Sequence, residues 1–234
     1  MKKIFILAAF LLTAISSSAQ IMRAEELEQY AEKLYGNKWV DIALNLKNES
    51  TLTLDKNNSL TFIQVIQAPG RSVAQLYSTL NYWFTATFND ANSAIKLNDK
   101  EIGCIIAQGS CEGIASHTGG MNHYNVSIRP IIRVDIKEGR CRVTYSLQAY
   151  NVVKTIGGGI LGSITKDSKG EHVEKDVNEV WPLDQTYPFA AKDAFGAKKT
   201  SSKALIMAYA YSQVMMDKIE AAIKEGMVDE DNEW

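Results

Sequence analysis

Cys111, Glu112, His117 and His123 fall within one short stretch, "GSCEGIASHTGGMNH", residues 109–123. A thiol beside an imidazole is the pair a thiol-dependent hydrolase needs, and a Cys with two His can also ligate zinc. The spacing fits neither chemistry. It follows no zinc-ligand pattern, and the histidines do not stand at i and i+4 on a helix. The stretch reads as a flexible, Gly-rich hairpin connection. No catalytic residue and no metal ligand is assigned, and a hydrolase built on Cys111 and His117 stays as an alternative function.

A second candidate is "TIGGGILGSI", where Gly157, Gly159 and Gly162 fit G-x-G-x-x-G. That fingerprint holds a dinucleotide only between a strand and a helix of a parallel βαβ unit. The strand before Thr155 belongs to an antiparallel hairpin, and after Gly162 only "SITKD" precedes "SKG". No cofactor is assigned. The segment from about 155 to 172 reads as a mobile Gly-rich loop insertion, with a lid over a ligand as the second reading.

The third candidate is a set of arginines on strands. In "YNVSIRPIIRVDIK", Val126, Ile128, Ile132, Val134 and Ile136 alternate with Ser127, Arg129, Arg133 and Asp135. In "RCRVTYSLQAYNVV", Cys141, Val143, Tyr145, Leu147 and Ala149 alternate with Arg140, Arg142, Thr144, Ser146 and Gln148. Such alternation means one buried and one wet face. A turn at Glu138 and Gly139 puts Asp135 across from Arg142, and a one-residue slip would bury the arginines. Pro130 interrupts the first strand, where it removes a ladder donor. Arg129, Arg133 and Arg142, with Ser127, Thr144 and Ser146, are therefore expected on one face that could bind an anionic glycan, an acidic peptide or another protein. The arginine fork suits carboxylate and sulfate groups. The plain alternative is a solvated face whose charges discourage aggregation.

These residues need a scaffold. "MKK", the apolar run "IFILAAFLLTAI" and the small residues Ser17 and Ala19 form a secretory signal peptide cut after Ala19. The protein is expected to be exported, periplasmic or secreted, and not to span a membrane. Removing residues 1–19 from 234 leaves 215, with 23 basic against 27 acidic residues, a net charge of −4. Residues 20–58 are expected to be helical, with one helix at 25–35 and a second carrying Trp39, Ile42, Ala43 and Leu46. A strand at 60–67 ends at Pro69 and Gly70, and Ser72 caps a helix with an aromatic stripe through Tyr77, Trp83, Phe84 and Phe88. "SAIKL" and "EIGCIIAQG" supply two more strands. "VWPLDQTYPF" reads as extended surface chain, and residues 201–226 as a long helix with Leu205, Ala208, Tyr209, Ser212, Met215 and Ile219 facing inward. Residues 229–234 are an acidic tail. The odd number of cysteines leaves at least one unpaired within the chain. Cys104 and Cys141, both on the apolar face, are expected to be buried free thiols.

The order is β-α-β-β-β-β-α after a helical prelude, an α+β pattern with helices on one face of an antiparallel sheet. "LTFIQVIQAPGRSVAQLYSTLNYWF", "SAIKLNDKEIGCIIAQG" and "IIRVDIKEGRCRVTYSLQAY" together resemble a domain-of-unknown-function family of exported Bacteroidota proteins described as having a TBP-like fold. The resemblance implies a curved antiparallel sheet with helices on its convex side across residues 59–228, and it implies no activity. Nucleic acid is not an expected partner, because fold does not carry function and a net charge of −4 lacks a polyanion-binding footprint. The leading functional reading is a non-enzymatic periplasmic binding or protein-interaction module. A carrier for an apolar ligand, held between the sheet and the final helix, is an alternative.

Overall fold

The computed structural model describes residues 24–37, 52–88, 94–164, 166 and 170–226. The signal segment, the helix expected around Trp39 to Leu46 and the acidic tail lie outside these residues. The first described element, α1 (Ala24–Tyr35), buries Leu27 and Ala31 completely. Strand β1 (Leu60–Gln67) leads through Gly70, whose φ of 80° suits glycine, into α2 (Val73–Thr87). Ser72 caps α2 in a full capping box. Its hydroxyl accepts from Gln75 N at 3.3 Å, while Ser72 N donates to Gln75 Oε1 at 2.8 Å. Leu76, Leu80, Phe84 and Phe88 point inward along the helical repeat, with the rings of Phe84 and Phe88 stacked 5.8 Å apart.

The chain then forms β2 (Ile95–Asp99), β3 (Cys104–Gln108), β4 (Cys111–Thr118), β5 (Asn122–Ile128), β6 (Ile131–Lys137), β7 (Arg140–Leu147), β8 (Ala149–Ile156) and β9 (Lys175–Pro182). All pairings are antiparallel. One sheet has the order β1-β7-β6-β3-β2, the other β4-β5-β8-β9. Three stretches of chain pass from one sheet into the other: β3 into β4 at Gly109, β5 into β6 at Pro130, and β7 into β8 at Gln148. The two ladders are thus halves of one bent sheet. Pro130 has no N–H to give, so the ladder cannot run straight through it. Gly109 N instead donates to Pro130 O at 2.8 Å, and Leu183 N to Gln148 O at 2.9 Å.

The 109–123 stretch differs from its expected role as a flexible connection. Residues 111–118 are β4, paired with β5, with a bulge between Cys111 and Ala115 in which Gly113 takes φ 64°. Residues 175–182, read partly as surface chain, form the edge strand β9. The described residues therefore form nine strands where the expected β-α-β-β-β-β-α order has five: two of the five are each divided at the bend, and β4 and β9 are additional, while the curved antiparallel sheet and α+β class stand.

The final helix α3 (Lys198–Glu225) packs against β1, β4 and β5 and against both other helices. In its first half Ala204 to Ala208, Ala210 and Tyr211 are all buried, so the helix is covered on nearly every side rather than along one stripe. Tyr211 meets Tyr145 at 6.4 Å and Tyr209 meets Phe62 at 5.4 Å.

The glycine segment is packed onto the β4–β5 turn rather than swinging free. Gly157 N and Gly159 N donate to Met121 O, Ile160 N to Gly119 O and Leu161 N to Gly120 O. A Cβ on Gly159 would stand 2.5 Å from Gly120 O, and one on Gly162 would overlap Gly157 O. Close backbone approach, not phosphate binding, accounts for glycine at these positions. Replacing Ser72 by Ala is expected to lower stability by ~1 kcal/mol through loss of the α2 cap. Urea unfolding checks this, with a lower midpoint at unchanged slope.

Candidate functional site

Each strand of the β1-β7-β6-β3-β2 sheet turns alternate residues away from the helices. Register places Ile63, Thr144, Arg133, Ile106 and Leu97 in one row across that outer face, and Val65, Arg142, Asp135, Cys104 and Asp99 in the next. Asp135 is the hub. Its Oδ1 accepts from Arg133 Nε at 2.9 Å and Nη2 at 2.7 Å, and its Oδ2 from Arg142 Nε at 3.3 Å and Nη2 at 2.8 Å. The carboxylate is mostly covered, while the guanidiniums stand half in water. Burial raises the Asp135 pKa, but the hydrogen bonds and charges of the two arginines outweigh it and hold the carboxyl below its ordinary value. The same hydrogen bond and charge raise Arg133.

Ser146 continues this face beside Thr61, and a hollow of about 220 Å³ opens between Val65, Asp135, Lys137, Arg140 and Arg142. Aliphatic side chains surround the charges: Ile63 is 64% exposed, Val65 51%, Leu97 40% and Ile131 38%. Two arginines forked onto one aspartate, ringed by exposed aliphatics, can seat a segment that offers both carboxylates and apolar side chains.

Ser127 and Arg129 do not join this cluster. Ser127 belongs to the other ladder on β5, and Arg129 sits in the link at Pro130 between β5 and β6. Ser127 is buried and its hydroxyl accepts from Gly113 N at 3.2 Å, which secures the β4 bulge. Arg129 lies 3.9 Å from Glu112 at the rim of a separate hollow with Asn151 and Asn178. The expected six-residue face therefore resolves into Arg133, Arg142, Thr144 and Ser146 on one ladder, Ser127 on the other, and Arg129 in the link between them.

Cys111 and His117 are both on β4, six residues apart, roughly 20 Å along an extended strand. Cys111 is fully buried opposite Ile128, and His117 is opposite Tyr124 near the far end. His123 turns to the other face, where Thr118 Oγ1 lies 2.9 Å from its Nδ1. The thiol and imidazoles are thus not assembled. Among the described residues, no group of three or more His, Cys, Asp or Glu side chains could hold a metal ion.

Cys104 and Cys141 are buried free thiols with β6 between them. They occupy opposite faces, contrary to the expected shared apolar face. Cys104 pairs with Asp135 on the outer side and Cys141 with Ile136 on the inner. Burial raises both thiols, Cys141 to about 11.

Sequence reasoning missed the exposed aliphatics of β1 and β2, which lie on strands it had identified. The outward phase of β1, Ile63 and Val65 against Phe62 and Ile66, was the available signal. It also missed Asp193. That carboxylate accepts from Tyr187 N, Phe195 N, Ala197 N and Ser201 Oγ, fixing the loop before α3.

Residues 62–151 match a family model described as a domain of unknown function (DUF4468) with TBP-like fold. Among solved structures, the chain is similar to a TBP-like protein from Parabacteroides distasonis at 12% identity and TM-score 0.44, over 72% of this chain and 95% of that one. It is also similar to a DUF4468 family protein from Bacteroides ovatus at 17% identity and TM-score 0.43, over 76% and 94%. No curated protein matches. The family resemblance and the TBP-like fold read from the sequence stand. Among the described residues, no helix is long and apolar enough to cross a membrane.

A carboxyl held below its ordinary value stabilises the fold above the unfolded-state pKa of about 3.9, and that stability disappears as pH falls through the folded-state value. Asp135→Asn is therefore expected to cost about 1 kcal/mol at pH 7, a modest figure because both arginines are half solvated. The difference from the unaltered protein should shrink as the pH falls below the unfolded-state value of about 3.9, as denaturant curves at pH 7 and at acid pH would record. Thiol titration is expected to find three reactive groups after denaturation and almost none in the native protein at pH 8.

Proposed function

We propose that this chain, with a DUF4468 domain of TBP-like fold at its centre, is an exported, non-enzymatic interaction module. Its outer sheet face docks an extended segment of an envelope protein that carries acidic and aliphatic side chains. The observation that carries the reading is the Arg133–Asp135–Arg142 cluster standing within exposed Ile63, Val65, Leu97 and Ile131. Lys137 and Arg140 pair with each other at the β6–β7 turn and continue the positive charge, against Asp135 and Asp99 in the row of Arg142. The balance favours an acidic partner, and exposed apolar area marks contact surfaces. The signal peptide expected from residues 1–19 supports a location in the envelope.

Two other readings have less behind them. A carrier needs space between the sheet and α3, where Tyr145, Tyr211, Leu205 and Met215 are in place and essentially fully buried. A hydrolase needs Cys111 and His117 together, and β4 holds them apart.

A photo-crosslinking residue at Ile63, in protein expressed in its own cells, tests the proposal. The expected result is an adduct with one defined envelope protein through an acidic segment. Arg133→Gln with Arg142→Gln should reduce that adduct at least tenfold, while the fold is unaltered by circular dichroism. An adduct indifferent to the double substitution, or none at all, would sink the reading.

A further inference from the structure

The start of α3 has properties that the outer face does not explain. The first four N–H groups of a helix have no intrahelical acceptor, and the helix dipole makes that end positive. Here the capping position is Ala197, which supplies no side-chain oxygen, and the first turn contains no acidic residue. It contains Lys198 and Lys199 instead, with Lys203 one turn on. Cations at this end work against the dipole, so they weaken the helix unless something negative joins them.

A cleft of about 380 Å³ opens at the same place. Its walls are the β4–β5 turn, with His117, Asn122 and Tyr124, and the first turn of the helix, with Lys198, Lys199 and Thr200. Thr200 is fully buried, lines this cleft, and its Oγ1 has no hydrogen-bond partner. A buried hydroxyl without a partner is costly and uncommon, and here it stands beside free helical N–H donors. Burial, then Lys199 and Lys203, then His123 lower the His117 pKa, consistent with a positive field in the cleft.

An acidic group of the loop before the helix, Asp193, has its carboxylate occupied by Tyr187 N, Phe195 N, Ala197 N and Ser201 Oγ. It orders the approach to the helix and leaves the N–H groups of Lys198, Lys199 and Thr200 open. Lys198 Nζ lies 4.3 Å from the centre of the Tyr187 ring, which holds one ammonium near the site.

We propose that this cleft binds a tetrahedral oxyanion, a phosphoryl or sulfate group, seated on the N–H groups of Lys198 to Thr200 and the Thr200 hydroxyl. Lys199 and Lys203 supply the charge, and Asn122 and Tyr124 line the side from which a substituent would enter. The cleft is larger than a bare phosphate requires, so the anion is carried on a sugar-sized group. This site is separate from the arginine face and does not depend on its role.

Calorimetric titration of the protein at constant ionic strength, against inorganic phosphate, sulfate, a hexose phosphate and the uncharged hexose, tests the assignment. The expected result is saturable binding of the hexose phosphate, weaker binding of the two inorganic anions and none of the hexose. Thr200→Val and Lys199→Gln should each weaken binding at least tenfold, and Lys218→Gln, at the far end of the helix, should not. The melting temperature of ligand-free Thr200→Val should equal or exceed that of the unaltered protein, because the substitution removes an unpaired hydroxyl. The proposal is overturned if no anion saturates, or if Thr200→Val melts normally and binds as tightly as the unaltered protein. Inorganic phosphate binding as tightly as the ester would overturn the sugar-sized substituent.

Discussion

The burial of one 28-residue helix against both halves of a bent sheet is the interaction on which the rest of this structure depends. The other two helices cover each half only in part, α2 on β6 and α1 on β4. The inner residues of β7, Val143 and Tyr145, and those of β5 and β8, Val126, Ile128 and Tyr150, all have essentially zero exposure. Removing any one large aromatic from such a layer typically costs ~3–5 kcal/mol, a large part of a domain's whole stability. The same packing leaves the opposite face of the sheet uncovered, which is why polar and aliphatic groups there are free to meet something else.

On that opposite face, Asp135 decides what the arginines can do. Without it, Arg133 and Arg142 would be two mobile cations on neighbouring strands. With it, both guanidiniums are tied to one carboxylate and half neutralised. An incoming carboxylate meets an ordered pair of forks, and part of the ordering entropy has already been spent. A strongly acidic ligand would gain less from this cluster than from free arginines. The cluster therefore favours a partner that combines modest charge with apolar contact to Ile63, Val65 and Ile131.

Much of this was legible in the sequence. The 60–67 strand, the Ser72 cap, the aromatic stripe of α2 and the Asp135–Arg142 register follow from spacing and turn chemistry, and they are in the structure as read. The division into two ladders was not recognised. Across Pro130 the buried apolar residues stay on even numbers, Val126 and Ile128 before and Ile132 and Val134 after, so the alternation conceals the bend. At Gln148 the phase does slip, from Val143, Tyr145 and Leu147 to Tyr150 and Val152. That slip was the available sign of a corner. Strand β4 escaped notice because glycine and short polar residues fill it, and β9 because an edge strand needs few apolar side chains, here mainly Trp181. The α3 cleft joins residues far apart in the chain, and an unpaired hydroxyl has no signature in one dimension.

The way three stretches of chain turn the corner between ladders bears on what counts as a unit. Residues 62–151 end just inside β8, one strand and one helix short of closure. Cut there, the chain would keep its most recognisable letters and lose Trp181 and Tyr211, which close over the interior. The stretch that matches the family model and the stretch needed to close the interior are different lengths of the same polypeptide.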